Sequence, residues 1–221
     1  MSAFWIATMA GWAGAYLFGS IPTAYLAGRI YGLDIREHGS RSVGATNALR
    51  VLGKGPALVV LLVDVLKGVA AIVLVRWLCS LLFADAIVAL PPALDQHVWT
   101  PWAVGVAGLA ALLGHSRSVW LGFSGGKSVA TGLGVVLAIS WPVAMGALTV
   151  FGLVMALVRI VSLGSILAAL TAILLICSLE QPTPYRLLVV AGGVYIVARH
   201  RANIRRLLAG TEPRLGQGLG G

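Results

Sequence analysis

The chain has 221 residues, 59% hydrophobic and only 10% charged, with a mean hydropathy of +0.94 and a formal net charge of +9. A soluble domain carries about 25% charged residues, so this deficit excludes an ordinary water-soluble enzyme and points to an integral membrane protein. Cys79 and Cys177 both lie inside apolar runs, and no C-x-x-C or Cys/His cluster suggests a metal site.

In chain order, seven apolar segments are expected: 3–28, 57–83, 101–114, 128–140, 141–158, 162–179 and 185–198. Crossing about 30 Å of hydrocarbon takes roughly 20 helical residues, which the first two segments supply easily. The first has no basic residue before its apolar run and is too long for a cleaved leader, so it reads as a retained helix. The third and fourth are short and flank GFSGGKS (122–128), which predicts half-helices entering the bilayer from one side. Trp141-Pro142 separates the fourth from the fifth.

Of the 16 basic residues, all but Lys67, Arg76 and Arg186 fall on alternate loops, in 29–56, 115–127, at Arg159 and in the tail from Arg199. The other side holds Asp85, Asp95 and Glu180. The positive-inside rule then puts the N-terminus outside and the C-terminus in the cytoplasm. The expected fold is an all-α integral membrane protein of about seven transmembrane segments, one domain over 1–221 with a frayed tail over about 213–221.

Three polar stretches share the cytoplasmic side. In EHGSRSVGATNALRVLGKG (37–55), small residues let backbone N–H groups approach an anion, and Arg50 offers a fork for phosphate or carboxylate. A solvated basic loop would need the charge but not this density of Gly, Ser, Thr and Asn. In GFSGGKSVATGLG (122–134) two familiar motifs overlap. G-x-S-x-G, with Ser124 as nucleophile, requires a strand-turn-helix that nothing nearby supplies. A P-loop ending in Gly126-Lys127-Ser128 would need a glycine at 121, where Leu121 stands. Anion binding at the start of a helix is what survives. In ARHRANIRRLLAGTEPRLG (198–216), His200 and Asn203 share one helical face beside Arg201 and Arg205, a pattern also expected of a helix lying on anionic lipid. Asp64 and Lys67, spaced i, i+3 inside the second segment, read either as a structural ion pair or as a cation reaching toward the same cavity.

Gly19-Ser20-Ile21-Pro22, His38-Gly39-Ser40, Gly44-Ala45-Thr46-Asn47 with Arg50, Lys67-Gly68, Gly114-His115, Gly125-Gly126-Lys127 with Val129-Ala130-Thr131, and His200-Arg201-x-Asn203-Ile204 followed by Glu212 run in order along the chain. Together they resemble the bacterial acyl-phosphate:glycerol-3-phosphate acyltransferase family (PlsY type). The resemblance implies a seven-helix enzyme of the bacterial inner membrane with its active site facing the cytoplasm. It would acylate the 1-hydroxyl of glycerol 3-phosphate from a fatty acyl-phosphate, not from acyl-CoA or acyl carrier protein, and release lysophosphatidic acid as the first acylation of phospholipid synthesis. No cofactor, metal or nucleic acid is expected; the partners are the two substrates, membrane lipid and, by functional coupling, an enzyme that produces acyl-phosphate.

The site expected from residues and resemblance together has Ser40, Arg50, Lys127, His200 and Asn203 as catalytic groups. Thr46, Asn47, Lys67, His115, Gly125, Gly126 and Ser128 are expected to bind substrate phosphate, and Asp64 and Glu212 to support the structure. The chain departs from the family pattern at Arg41-Ser42, where Gly-Asn is usual, at Ser128, where Gly is usual, and at Arg117-Ser118-Val119, which lacks the usual proline.

Two phosphates in one site bring roughly three to four negative charges, which Arg50, Lys127, Lys67 and glycine-loop amides can offset. Acyl-phosphate has a good leaving group, so positioning and oxyanion stabilisation are the main tasks. Four nearby arginines depress the basicity of His200, which favours the donor phosphate as base, with no acyl-enzyme. The competing class is a small-anion transporter with a basic cytoplasmic vestibule.

Overall fold

Pro22 has no N–H to continue a helix, and the first apolar segment breaks there into α1 (Ser2–Ser20) and α2 (Thr23–Ile30), bent by 41°. The break frees the Ile21 carbonyl inside the bundle, and Lys67 Nζ takes it at 2.9 Å. The computed structural model describes residues 2–84 and 94–216; Asp85, assigned above to the outer side, and 217–221 of the expected tail lie outside these.

The remaining helices are α3 (Ala45–Val51), α4 (Lys54–Ala84), α5 (Gln96–Ser116), α6 (Val129–Ile139), α7 (Trp141–Leu157), α8 (Val161–Ser178), α9 (Thr183–Arg199) and α10 (Arg201–Leu208). Each of the seven apolar segments is helical, and among the described residues the only β pairing is an isolated bridge between Ser118 and Ser124. Among the described residues three helices, α4, α5 and α8, are long and apolar enough to cross a membrane, or four spans if α1 and α2 form one bent span; α6 and α7 are shorter apolar helices. The third segment corrects its expected length. It starts at Gln96 rather than 101 and runs 21 residues through Pro101, with the Asp95 carboxylate accepting the His97 N–H at 2.6 Å as its N-cap. It is therefore a full helix, and of the two segments flanking the glycine loop only α6, with 11 residues, stays short.

In lipid, helices gain little by hiding apolar surface from one another, and small residues that let backbones approach take over. A Cβ on Gly68 of α4 would run into the Thr131 carbonyl of α6, and one on Gly134 of α6 into the Val65 carbonyl of α4. Gly19 and Gly114 play the same part between α1 and α5, against the Ala111 backbone and the Tyr16 carbonyl. Gly134→Ala is therefore expected to force α4 and α6 apart and lower stability by about 1–3 kcal/mol. Gly152→Ala, where nothing stands within 4 Å of the added carbon, should leave the thermal midpoint in detergent unchanged or raised.

Three apolar clusters organise the core. One joins α1, α4 and α5 around Ile72, Val104 and Ala107; a second seats Ile35, Val43 and Ala48 against Val60 at the start of α4; a third packs Val143, Ile176 and Val189 of α7, α8 and α9. Phe4, Trp5, Phe83 and Trp99 gather where α1 and α5 begin and α4 ends, with neighbouring ring centroids 5.3–6.2 Å apart. This is the end of α5 remote from the glycine loop, and its composition is that of a membrane-interface aromatic belt.

Candidate active site

The first polar stretch is shaped by Asn47, whose side chain is only 1% exposed. Its Nδ2 donates to the carbonyls of Ile35 (3.2 Å) and His38 (3.1 Å), and its Oδ1 accepts the Ser40 N–H at 2.8 Å. The Asn47 amide is thus committed to the loop itself, folding it so that Ser40, Thr46 and Arg50 face a common cavity. Arg41 in this loop has φ +57, a left-handed conformation natural to the glycine usual there and adopted here by an arginine. Outside the cavity, Arg36 pairs with Asp34 at 2.6 Å and holds its carboxyl down at about 2.

The glycine loop is built against the end of α5. The Gly126 N–H donates to the His115 carbonyl at 3.1 Å. A side chain on Gly125 would strike the His115 carbonyl and Ser116 backbone, and one on Gly126 the His115 imidazole. Both glycines are required by this close approach. Ser124 donates to the Leu121 carbonyl at 2.7 Å, so its hydroxyl closes the local turn.

Ser128, with φ +62, caps the start of α6 and buries its hydroxyl on the Leu112 carbonyl at 2.7 Å. The side chain is thus turned into α5, and what Ser128 can offer an anion is its backbone N–H at the helix start. Its left-handed backbone also accounts for the glycine usual at this position. Ser128→Ala keeps the strain and loses the buried bond, and is expected to cost about 1–2 kcal/mol. Ser128→Gly loses the bond but relieves about 1 kcal/mol of strain, so thermal unfolding should place it near the parent.

Lys127 Nζ donates to Asn203 Oδ1 at 2.5 Å, Asn203 Nδ2 donates to Glu212 Oε1 at 2.6 Å, and Ser162 Oγ shares that oxygen at 2.6 Å. Arg206 Nε donates to Glu212 Oε2 at 2.6 Å. Burial lowers the Lys127 ammonium to about 8, with the Glu212 carboxylate opposing and Arg206, Arg50 and Arg199 adding to the shift. Burial also works to raise Glu212, but the bonds from Ser162, Asn203 and Arg206 outweigh it and leave the carboxyl below its usual range.

His200 lies between α9 and α10, 2% exposed, with Nδ1 2.8 Å from the Ile196 carbonyl. A carbonyl only accepts, so in the neutral ring Nδ1 carries the proton and Nε2 keeps its lone pair. Burial lowers His200 to about 4, the Ile196 bond opposing and the Lys127 and Arg199 charges reinforcing. The ring is therefore a neutral acceptor at physiological pH.

Asp64 and Lys67 form a buried pair at 2.8 Å, each side chain 2% exposed. Thr23 Oγ1 donates to Asp64 Oδ1 at 3.0 Å, and His115 Nδ1 stands 3.7 Å away from the same oxygen. The pair staples the α1–α2 break to α4, and it is Asp64, not Lys67, that reaches the cavity wall.

The cavity holds about 660 Å³. Ser40, Thr46, Asn47, Arg50, Asp64, His115, Lys127, Ser128, His200, Asn203 and Glu212 all line its polar end, while Lys67, Gly125 and Gly126 stand behind the wall. The other end is apolar, walled by α6–α9 through residues such as Val136, Leu148, Phe151, Ala172 and Val189. Pro213 also lines the cavity and the Leu215 N–H donates to the Arg159 carbonyl at 2.6 Å, so the first part of the expected tail is tied to the α7–α8 turn. Polar wall residues absent from the expected site include Arg199, Arg206, Ser162 and Ser165. In the sequence Arg199 reads as a charge that orients the bundle and depresses the basicity of His200, and nothing local marks Ser162. Among the described residues no three His, Cys, Asp or Glu side chains come together as a metal site.

An all-helical membrane protein whose cavity joins a cationic pocket to an apolar slot defines the class, an integral membrane enzyme handling an amphiphile. The chain belongs to the glycerol-3-phosphate acyltransferase family, whose model matches residues 9–210, and so to the membrane acyltransferases of phospholipid biosynthesis. It is 68% identical to glycerol-3-phosphate acyltransferase 2 of Rhizobium johnstonii over 216 residues, 97% of this chain and 98% of the relative. It is 53% identical to the glycerol-3-phosphate acyltransferase of Trichormus variabilis over 206 residues, 93% and 90% of the two chains. Its fold matches the crystal structure of PlsY (YgiH), an integral membrane glycerol 3-phosphate acyltransferase, in its glycerol 3-phosphate form, with a TM-score of 0.80 at 36% identity over 95% of this chain and 96% of that one. The lysophosphatidic acid form of the same protein matches with a TM-score of 0.78 at 35% identity, over 95% of each chain.

Proposed function

We propose that the chain transfers a fatty acyl group from acyl-phosphate to the 1-hydroxyl of glycerol 3-phosphate, releasing lysophosphatidic acid and inorganic phosphate. The observation that carries this reading is the two-ended cavity. Arg50, Lys127 and Arg199 line it with no paired carboxylate among the described residues, while Arg206 is paired with Glu212. Their combined charge suits two phosphates, and the apolar end suits an acyl chain.

The 1-hydroxyl oxygen attacks the acyl carbon, the bond from that carbon to the bridging phosphate oxygen breaks, and the hydroxyl proton passes to the departing phosphate. His200 Nε2 accepts the hydroxyl's hydrogen bond and orients it; a ring held at about 4 is too weak a base to keep the proton. Lys127 and Arg50 hold phosphate, and Asn203 and Glu212 aim Lys127. Asn47 shapes the loop that presents Ser40 and Thr46. The reading involves no acyl-enzyme: Ser128 is turned onto a carbonyl, Ser124 closes its own turn, and Ser40, which faces the cavity, is given no acyl group to carry.

The same reading takes the molecule as one domain of seven membrane segments in the bacterial inner membrane. Its C-terminus and polar cavity face the cytoplasm, where a soluble enzyme can deliver acyl-phosphate. The test is purified protein in lipid, given acyl-phosphate and glycerol 3-phosphate without metal or nucleotide. Lysophosphatidic acid should form, and mass spectrometry with donor alone should find no acylated serine. Folded protein that yields no product but moves phosphate across a vesicle would instead be a transporter.

A further inference from the structure

We infer that Arg199 is the residue that holds the glycine loop in its phosphate-accepting form, a role that rests on the acyltransfer reading above. Arg199 ends α9, one residue before His200, so the helix that delivers the imidazole to the cavity also delivers a guanidinium. Its Nη2 donates to two consecutive carbonyls of the loop, Gly126 at 3.1 Å and Gly125 at 3.4 Å.

Those carbonyls are the wrong polarity for an anion site. Turned toward the cavity, they would repel a phosphate; held on Arg199, they are neutralised and fixed away from it. The loop's opposite polarity is then left free. The Gly126 N–H is used on His115, whereas the Lys127 and Ser128 N–H groups have no partner among the described residues. Successive free N–H groups before a helix, one of them on a left-handed residue, form a concave anion seat. Both bonds leave one nitrogen, Nη2, whose N–H directions are fixed by the planar guanidinium; a lysine ammonium turns freely on a flexible stem and does not hold them.

A second observation points to a ligand. Arg199 Nε is buried and has no hydrogen-bond partner among the described residues. A desolvated guanidinium N–H without an acceptor is costly, and only a shift of the loop on binding an anion would bring one to it. Arg199 thus serves the acceptor's phosphate through the loop it holds.

The experiment uses the full chain in lipid nanodiscs and compares Arg199→Lys and Arg199→Gln with the parent. The KM for glycerol 3-phosphate should rise about tenfold in the lysine variant and about a hundredfold in the glutamine variant. The KM for acyl-phosphate should stay within about twofold, and the unliganded thermal midpoint should hold. A parental KM in the glutamine variant, or an equal rise in both KM values with a fallen midpoint, overturns the inference. Inorganic phosphate supplies a readout without turnover. It should raise the midpoint of the parent, and about a hundredfold more should be needed in Arg199→Gln. Equal stabilisation of both, or none of the parent, also overturns the inference. Because this arm involves no acyl donor, it separates failure of the Arg199 role from failure of the acyl-phosphate reading.

Discussion

Lys127→Ala is expected to raise the KM for glycerol 3-phosphate about a hundredfold while kcat falls far less, the mark of lost substrate binding. The variant removes a buried cation and leaves Asn203 Oδ1 without its donor. The pH dependence makes the assignment specific. Lys127 at about 8 is charged below that value, so kcat/KM should be level near neutrality and fall as pH rises through about 8. At saturating glycerol 3-phosphate the bound dianion favours the ammonium, so kcat should hold to higher pH than kcat/KM. His200 at about 4 stays neutral throughout, and no histidine limb should appear near 6.5. An acidic limb near 6 belongs to the substrate phosphate and should persist in every variant. Lys127→Arg, which cannot lose its charge, should be slower than the parent yet lack the alkaline limb. An alkaline limb unchanged in Lys127→Arg would remove Lys127 from the site.

How much of this was legible depends on the range of each interaction. The helical state of the seven apolar segments follows from apolar runs, which are local, and the α6–α7 break from Trp141-Pro142 likewise. The error at α5 is also local in origin. Gln96, His97 and Thr100 read as loop, yet Asp95 caps them into the helix. The seven-residue α3 sits in a stretch whose Gly, Ser and Thr content hides it, held by Asn47 reaching back to Ile35 and His38. Lys67 was recognisable as buried, but whether it served the cavity or the fold turned on the Ile21 carbonyl, 46 positions away. The Lys127–Asn203 bond spans 76 positions and Ser162–Glu212 spans 50, and no periodicity carries contacts of that range. The motifs marked three of the four residues; Ser162, with no motif around it, was found only in space.

Glu212 is where that network can be taken apart. Its Oε1 accepts from both Ser162 and Asn203, and its Oε2 accepts from Arg206. Glutamine has one oxygen and one amide nitrogen and cannot serve both sides. With its oxygen toward Ser162 and Asn203, its NH2 meets the Arg206 N–H, donor against donor. Flipped, its NH2 faces Asn203 Nδ2; Asn203 must then turn, and its own NH2 meets the Lys127 ammonium. Glu212→Gln should therefore keep the fold and lower kcat/KM about a hundredfold. Glu212→Ala also strands the buried donors of Ser162 and Asn203, and should cost about 2–4 kcal/mol of stability as well. Arg206 adds little to that loss, since its side chain is 44% exposed. Two further readouts separate this chain of bonds from a general weakening. The Glu212 carboxylate supports the charged form of Lys127, so Glu212→Gln should move the alkaline limb to lower pH. And once Asn203→Ala has cut the link to Lys127, adding Glu212→Gln should cost far less than it does alone. If the two effects multiply instead, and the alkaline limb stays near 8, Glu212 supports the fold without aiming Lys127.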